Sequence, residues 1–205
     1  MRTVIPIDVE NPKTRLSPLL DPDERIAFAT VMLEDVLAAV EPTPLEPTVL
    51  ATDEVDVGVP LRIDDRPLDP LVNAEIDRGT PLAVVMADLP LVGPEQLERL
   101  LGTEGDVVVA PGQGGGTNAL VTRDDAFRVD YHGVSLRDHV AIARERDLSV
   151  GVVDSFRIAT DVDEADDFLE VLLHGEGRAA TWLREAGFRL DSTAGRPAAI
   201  RDPNL

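Results

Sequence analysis

Asp88 is a candidate ligand for a cation because it directly follows a pattern typical of a buried strand. The apolar run 82–87 precedes it, and Pro81 and Pro90 bound the segment. A continuous apolar run of this length is typical of a strand that is buried on both faces. Ligands of open α/β sheets bind at the carboxyl ends of the strands, where Asp88 would lie. Asp88 could instead serve only as a turn or capping residue.

Two further carboxylates, Asp161 and Asp163, occur in the segment TDVD after the last predicted core strand. Alternate residues of an extended segment point the same way, so both carboxylates could face one site. Together with Asp88 they would supply oxygen ligands for Mg²⁺, which binds through few carboxylates plus substrate phosphates. Asp163 could instead cap the helix that is predicted to follow it.

Lys13 is the only lysine of this chain, since the other 18 basic residues are arginine. It lies in the loop after the first predicted strand, two residues before Arg15. Such loops commonly contact nucleotide phosphates, for which lysine supplies a compact mobile charge and arginine a planar fork. The loop lacks the glycines of a Walker motif. A surface lysine retained by chance is the alternative.

A glycine-rich run, GQGGGTN, spans residues 112–118. It precedes a predicted strand and lacks the third glycine of a dinucleotide fingerprint, so that function is not indicated. Adjacent glycines do let the backbone approach a charged ligand and present N–H groups to it. The alternative is a flexible surface loop.

Ser135 and His139 are four residues apart in a predicted helix, which places both on one helix face. Ser135 is predicted to cap the helix, and an imidazole beside a hydroxyl at a helix amino end would form an anion pocket. A partly buried helix histidine is the alternative for His139. No GxSxG motif is present, so a serine hydrolase is not supported.

The composition excludes several classes of protein. The chain has 205 residues, a formal net charge of −20 and no cysteine, so thiolate metal sites are excluded. The charge argues against binding to nucleic acid. No apolar run is long enough to span a membrane, and we expect a cytoplasmic protein. Excess acid with almost no lysine indicates adaptation to high salt.

Predicted strands alternate with predicted helices along the chain. This alternation predicts an α/β three-layer sandwich with a mostly parallel sheet. We expect one domain over 1–205, with a less certain helical extension and tail from about 174, the last part (191–205) loosely held. The strands are predicted at 2–7, 48–51, 61–63, 82–87, 106–110, 118–122 and 148–154. The helices are predicted at 23–40, 68–78, 95–101, 135–146, 164–173 and 178–186, with a turn at 158–163.

Five segments, in this order, resemble the CofC/FbiD guanylyltransferases. They are IPIDVENPKTRLSPLL, MADLPLV, GGGTNAL, YHGVSLRDH and ATDVDEADDF, and the resemblance covers about 2–172. It implies a Rossmann-like, mostly parallel mixed sheet of the nucleotidyltransferase type. It also implies Mg²⁺-dependent transfer of GMP from GTP to a small phosphorylated carboxylic acid, with release of pyrophosphate. The acceptor would be 2-phospho-L-lactate or phosphoenolpyruvate, in the biosynthesis of the deazaflavin coenzyme F-420.

The resemblance also implies roles for individual residues. The metal ligands would be Asp88 and Asp161, to which we add Asp163, and the catalytic residues would be Lys13, Asp88 and Asp161. The nucleotide would contact Pro6, Lys13, Arg15, Asn73 and Asp88. The acceptor would contact Gly116, Thr117, Asn118, Gly133, Ser135 and His139. Asp8 departs from the family, whose members often have a basic residue there.

Rival functions remain open at this point. Another nucleotidyltransferase, of the molybdenum-cofactor or sugar-phosphate type, would share several of these motifs. A noncatalytic protein that binds a nucleotide would also fit the phosphate loop. The sequence leaves open whether the protein forms a homodimer.

Overall fold

The computed structural model describes residues 1–192 and 195–202, and the tail positions 193, 194 and 203–205 lie outside the described residues. The strands are β1 (Arg2–Ile7), β2 (Glu46–Ala51), β3 (Leu61–Ile63), β4 (Leu82–Val85), β5 (Val107–Pro111), β6 (Thr117–Thr122), β7 (Val150–Val152), β8 (Phe188–Asp191) and β9 (Ala198–Arg201). The helices are α1 (Pro22–Val40), α2 (Leu68–Asp77), α3 (Pro94–Gly102), α4 (Ser135–Glu145), α5 (Phe156–Ala159), α6 (Phe168–His174) and α7 (Arg178–Glu185). Two short 3₁₀ helices span Thr14–Leu16 and Ala165–Asp167.

The main sheet has seven strands in the order β3-β2-β1-β4-β6-β5-β7. All neighbouring pairs are parallel except those of β6, which runs antiparallel to both β4 and β5. The predicted mixed, mostly parallel α/β sheet is therefore confirmed. Since β6 is reversed, its first residues lie at the edge where β1 and β4 end, which brings the glycine run towards Asp88.

Helices cover both faces of the sheet. Leu33 of α1 and Leu97 of α3 pack with Val85 in one apolar core. Val72 of α2 packs with Val84 in the core on the opposite face. Neighbouring residues of β4 thus point into different cores, because side chains of a strand alternate between faces. The result is the predicted three-layer arrangement.

Helix α1 begins with a complete capping box. The Asp21 carboxylate accepts a hydrogen bond from the backbone N–H of Glu24 at 2.9 Å, and Glu24 accepts from the N–H of Asp21 at 3.0 Å. These two bonds satisfy donors that the first helical turn leaves free. The cap at Asp21 also sets the position at which the loop that carries Lys13 ends.

The C-terminal part packs against α1 in a third core. Phe28 of α1 contacts Phe168 edge to face at 5.3 Å between ring centroids, and Phe168 contacts Phe188 at 5.0 Å. The described part of the tail forms the antiparallel pair β8–β9, so the prediction of a loosely held tail is wrong for β9. Aromatic burial against α1 outweighs the polar composition that suggested loose structure.

Two smaller differences concern the functional edge of the sheet. Residues 156–159 form α5, where the sequence predicted the start of a turn. Ser135 is the first residue of α4 rather than its N-cap, which is Val134, and the helix has no side-chain cap. In the described part of the chain, no helix combines the length and apolarity that crossing a bilayer requires.

Candidate functional site

A cleft opens at the carboxyl ends of β1 and β4, below the loop that carries Lys13. Its volume is about 330 Å³. The predicted site residues that line it are Pro6, Lys13, Arg15, Asp88 and Asp163. The cleft is also lined by residues that were not predicted to belong to the site, among them Asp8, Asn11, Met32 and Met86. The cleft therefore unites the predicted phosphate loop with two of the three predicted metal ligands.

Lys13 is the centre of the charged part of the cleft. Its Nζ donates to Asp88 Oδ2 at 2.6 Å and to Asp163 Oδ1 at 2.9 Å, and Arg15 lies 3.6 Å from the other oxygen of Asp163. The backbone of Lys13 has a φ of 51°, in the left-handed region. A non-glycine residue there costs on the order of 1 kcal/mol. Glycine or asparagine would adopt this backbone at lower cost, so the lysine side chain is not explained by the turn itself.

The charges in this cluster stabilise one another. Burial alone would lower the pKa of Lys13, but the carboxylates of Asp88 and Asp163 raise that pKa well above its ordinary value. Burial would raise the pKa of Asp163, but Lys13 and Arg15 hold it below its usual range. The cluster is therefore a charged network at neutral pH, and Asp163 does not act as a helix cap. The N-cap of the 3₁₀ helix Ala165–Asp167 is Glu164 and that of α6 is Asp167, which leaves the Asp163 carboxylate to the cleft.

Asp161 has a different environment from Asp163, although only Val162 separates them. Asn118 Nδ2 donates to Asp161 Oδ1 at 2.9 Å and to the backbone oxygen of Ile158 at 2.9 Å. Burial raises the pKa of Asp161, and the negative charge of Asp88 raises it further. The hydrogen bond from Asn118 acts in the opposite direction but is outweighed. The pKa of Asp161 is thus raised and that of Asp163 lowered, and opposite shifts in neighbouring carboxylates are typical of functional sites.

Asp88 has one oxygen that the protein leaves without a partner. Asp88 Oδ1 is buried and accepts no hydrogen bond from the described residues. A buried carboxylate oxygen without a partner is costly, and an oxygen-seeking divalent cation would satisfy it. The backbone oxygen of Asp88 also accepts from the N–H of Val162 at 3.2 Å, which ties the Asp161 turn to β4. The residues present therefore fit a divalent cation.

The predicted trio Asp88, Asp161 and Asp163 does not converge on one point. The Lys13 ammonium lies between Asp88 and Asp163, and Asn118 holds Asp161. Among the described residues, the group of three with converging ligand atoms, all within 4.8 Å of one another, is Asp69, Asp130 and His132. There the His132 ring itself bridges the two carboxylates, at 3.0 Å and 2.8 Å.

The glycine run and the start of α4 form a second, uncharged part of the site. Gly115 has a φ of 84°, which favours glycine, and its backbone oxygen accepts from the N–H of Leu136 at 3.2 Å. This bond ties the run to the first turn of α4. Thr117 of β6 contacts His139 of α4, with 2.9 Å between Oγ1 and Nδ1. Thr117, Ser135 and His139 are all buried. We name Thr117, Ser135 and His139, with the glycine run 114–116, the neutral pocket.

Side chains hold the segment that leads into Ser135. The backbone N–H groups of residues 129 to 132 donate in turn to Asn73 Oδ1, His139 Nε2, Asp69 Oδ1 and Asp130 Oδ1, at 2.7–3.1 Å. Asn73 also donates to the backbone oxygen of Val129 at 3.1 Å. Asn73 therefore fastens this segment to α2 and does not line the cleft, and its contact with a nucleoside stays a prediction. Gly133, at φ 60°, completes the turn into α4.

Sequence reasoning missed the residues that shape the Lys13 loop. Arg25 of α1 is buried, and it donates to the backbone oxygen of Pro12 at 3.1 Å and to Asn11 Oδ1 at 3.0 Å. Asp8 accepts from the hydroxyl of Thr52 at 3.1 Å, which holds the start of the loop to β2. Arg25 could have been found, because its spacing from the apolar positions 28, 29 and 32 places it on the buried helix face.

The fold is of the nucleotidyltransferase type. A solved structure described as a nucleotide-diphospho-sugar transferase from Desulfovibrio desulfuricans matches with a TM-score of 0.70 and 15% identity, over 90% of this chain and 94% of that one. A nucleotidyl transferase from Methanothermobacter matches with a TM-score of 0.62 and 15% identity, over 90% of this chain and 98% of that one. At these identities the likeness concerns the fold alone.

Sequence relatives define the family more narrowly. The family model described as "Guanylyl transferase CofC like" matches residues 1–201, and the chain belongs to that family. A 2-phospho-L-lactate guanylyltransferase of Halomicrobium mukohataei is 55% identical over 202 residues, which are 98% of this chain and all of that protein. A protein of the same name from Haloarcula marismortui is 55% identical over 96% of this chain and 97% of its own. Family membership confirms the resemblance on which the residue roles were predicted.

Proposed function

We propose that this protein transfers GMP from GTP to 2-phospho-L-lactate with release of pyrophosphate, a step in the biosynthesis of coenzyme F-420. The observation that carries the proposal is the pair of cations Lys13 and Arg15 beside Asp88 and Asp163 at the carboxyl edge of the sheet. The chain that holds them matches the CofC family over residues 1–201. The identity of the acceptor follows the names of the relatives from Halomicrobium and Haloarcula.

The reaction requires no nucleophile from the protein. An oxygen of the acceptor's phosphate forms a bond with the α-phosphorus of GTP, while the bond from that phosphorus to the bridging oxygen of the β-phosphate breaks. The acceptor phosphate is largely ionised at neutral pH, so no proton has to be removed for the attack. The tasks left to the protein are to position two anions and to offset their charge.

Lys13 and Arg15 would offset the charge of the triphosphate. The ammonium of Lys13 sits on a flexible stem, so it can move from Asp88 and Asp163 to a phosphate oxygen without leaving the cleft. Arg15 is largely exposed at the mouth of the cleft, with only a long contact to Asp163, and is free to contact the departing pyrophosphate. The lone lysine of the chain thus has a role that a planar guanidinium would fill less well.

Mg²⁺ is the cation we assign to this site. Asp88, through its unpartnered Oδ1, and Asp161 would hold it, with Asp163 nearby. When bound, the ion would supply positive charge beside the α-phosphate. Because Asp88 also accepts a hydrogen bond from Lys13, the ion would share this carboxylate with the Lys13 ammonium. Asn118 keeps Asp161 oriented towards this site.

The neutral pocket would hold the acceptor. A phosphorylated carboxylic acid has two anionic groups, and hydroxyls, glycine N–H groups and a helix amino end all favour anions without adding formal charge. Thr117 and Ser135 would supply hydroxyl donors, and Gly114 and Gly116 would supply backbone N–H groups, whereas the N–H of Gly115 already donates to Gly112. Asn118 follows Thr117 in β6 and donates to Asp161, one of the two carboxylates assigned to the ion.

The proposal is tested by product formation in high-salt buffer. GTP and Mg²⁺ are incubated in turn with 2-phospho-L-lactate, phosphoenolpyruvate, 3-phosphoglycerate, a sugar phosphate or molybdopterin, and pyrophosphate and the mass of the nucleotide product are measured. We expect pyrophosphate and a guanylylated acceptor with 2-phospho-L-lactate. Release only with a sugar phosphate or a pterin would assign another nucleotidyl transfer, and GTP binding without release by any acceptor would assign a noncatalytic role.

A further inference from the structure

His139 is enclosed in the neutral pocket and cannot touch a ligand. Its ring has no exposed surface, and it packs edge-on against Tyr131, with 4.9 Å between centroids, and against Phe127, with 5.9 Å. Both ring nitrogens already contact protein atoms, Nε2 the backbone N–H of Asp130 at 3.0 Å and Nδ1 the hydroxyl of Thr117 at 2.9 Å. Any effect of His139 on the reaction must therefore pass through these partners.

The contact with Asp130 fixes which ring nitrogen carries the hydrogen. A backbone N–H can only donate, so Nε2 of His139 must accept and carries no hydrogen. In the neutral imidazole the hydrogen then resides on Nδ1, which donates to the oxygen of Thr117. The direction of this second hydrogen bond follows from the first, without any assumption about the ligand.

The direction of the bond leaves the hydroxyl hydrogen of Thr117 without a partner. Thr117 Oγ1 has no other hydrogen bond among residues 1–192 and 195–202. A buried hydroxyl that accepts from His139 can still donate one hydrogen, and an unmet donor in a buried place is costly. Thr117 is therefore preset to donate to an oxygen atom that comes from outside the protein.

We propose that His139 is a positioning residue that makes Thr117 an obligate hydrogen-bond donor to an anionic oxygen of the acceptor. The inference rests on the proposed function, since it takes the acceptor to be a phosphorylated acid. His139 also holds Asp130, and thereby the segment that leads through Gly133 to Ser135, so one side chain fixes two walls of the pocket. The role predicted for His139, direct contact with the acceptor, is replaced by this indirect one.

The charges around His139 are compatible with a neutral ring. Burial lowers the pKa of His139 to about 4, although Asp69 on α2, Asp130 on the preceding segment and Asp138 on α4 act to raise it. Tyr131, which packs against the ring, has its pKa raised by burial and stays neutral. Protonation of Nε2 would place two hydrogens between His139 and Asp130, so the arrangement requires the neutral form.

A double-mutant cycle tests the proposal. The KM for 2-phospho-L-lactate and for GTP is measured for wild type, Thr117→Val, His139→Phe and the double variant, with His174→Phe as the control for a histidine outside the pocket. Phenylalanine retains the ring packing and removes both hydrogen bonds. Because hydrogen bonds to charged groups are worth more than neutral ones, we expect about a tenfold rise in the acceptor KM for each single variant. The GTP KM should stay within about twofold.

The double variant distinguishes a positioning role from a structural one. If His139 acts mainly through Thr117, adding His139→Phe to Thr117→Val should raise the acceptor KM by clearly less than His139→Phe does alone, since the donor has already been removed. The proposal would be overturned if the increases in acceptor KM of the two single variants multiply in the double variant. It would also be overturned if the KM for GTP rises as much as the KM for the acceptor. If His139→Phe does not fold, the same cycle is measured with His139→Gln in its place. No product from wild type would contradict the proposed function instead.

A second readout is independent of turnover. The chain has only three histidines, so ¹⁵N spectra can assign the ring nitrogens of His139. We expect hydrogen on Nδ1 and none on Nε2, unchanged between pH 8 and pH 6. Hydrogen on Nε2, or a doubly protonated ring at pH 6, would overturn the proposal, because Thr117 would then not be forced to donate outwards.

Discussion

The charged cleft around Lys13 and the neutral pocket around Thr117 are built on different principles. In the cleft, Lys13, Asp88 and Asp163 satisfy one another through ion pairs that a ligand can exchange. In the pocket, His139 fixes Thr117 through a buried hydrogen bond that no ligand replaces. The cleft is thus adaptable, whereas the pocket is preset.

The difference corresponds to the two anions that must meet. A triphosphate changes its charge distribution as pyrophosphate leaves, so mobile charges that follow it lower the barrier. An acceptor needs only to be held in line, for which fixed neutral donors cost no reorganisation. In a chain of net charge −20, neutral donors also bind an anion without adding buried ion pairs.

The largest effect is expected from Asp88→Asn. Asp88 has the unpartnered buried oxygen that would bind the metal, so we expect activity to fall by at least about a hundredfold. Asp163→Asn is the matched control, because Asp163 also contacts Lys13 but has no unpartnered buried oxygen. Pyrophosphate release is measured for both, with circular dichroism to establish folding. Equal losses in the two variants would mean that Asp88 acts only through Lys13.

Lys13→Arg should lower kcat more than it raises the KM for GTP. The guanidinium retains the charge but cannot follow a phosphate as closely, and losing one such interaction costs roughly a hundredfold in rate. Lys13→Ala should be at least as damaging. The readout is steady-state pyrophosphate release at saturating acceptor. Should Lys13→Arg match wild type in both constants, the phosphate contact would belong to Arg15 or to backbone N–H groups.

Asn118→Ala tests the boundary between the two regions. Asn118 holds Asp161, so its loss should lower kcat by about tenfold, as expected for one hydrogen bond to a charged group. The acceptor KM should change little. A rise in the acceptor KM with kcat intact would place Asn118 in the pocket, as the sequence predicted, rather than in the cleft.

His139 should make the free energy of unfolding depend on pH at values above those at which carboxyl groups titrate. Its pKa is about 4 when folded and about 6.5 when unfolded, so the unfolded chain takes up the proton first and stability falls as pH drops below about 6.5. From pH 7 to pH 5 this amounts to about 2 kcal/mol. Urea unfolding of wild type and His139→Phe measures it. An equal loss in both proteins would mean that His139 is protonated in the folded state.

The sequence predicted the fold better than the detailed contacts. Apolar runs such as 82–87 and helical spacing in α1 identified most strands and helices, because burial alone determines those patterns. Lys13 and Asp88 were found through composition and position at a strand end. The roles of Asn118 and Asn73 were not recoverable, since a side-chain amide bonds to whatever the tertiary fold brings near it. The β8–β9 pair was missed because Phe188 of β8 is held by Phe168, which lies 20 residues earlier in the chain and contacts it only in the folded protein.

The division of labour between cleft and pocket is tested most directly by measuring both Michaelis constants for Arg15→Ala and Thr117→Val. Arg15 lies at the cleft and Thr117 in the pocket. We expect Arg15→Ala to raise the KM for GTP by about tenfold and leave that for 2-phospho-L-lactate within about twofold, and Thr117→Val to do the reverse. If each variant raises both constants alike, the two regions do not bind separate substrates and the account is wrong.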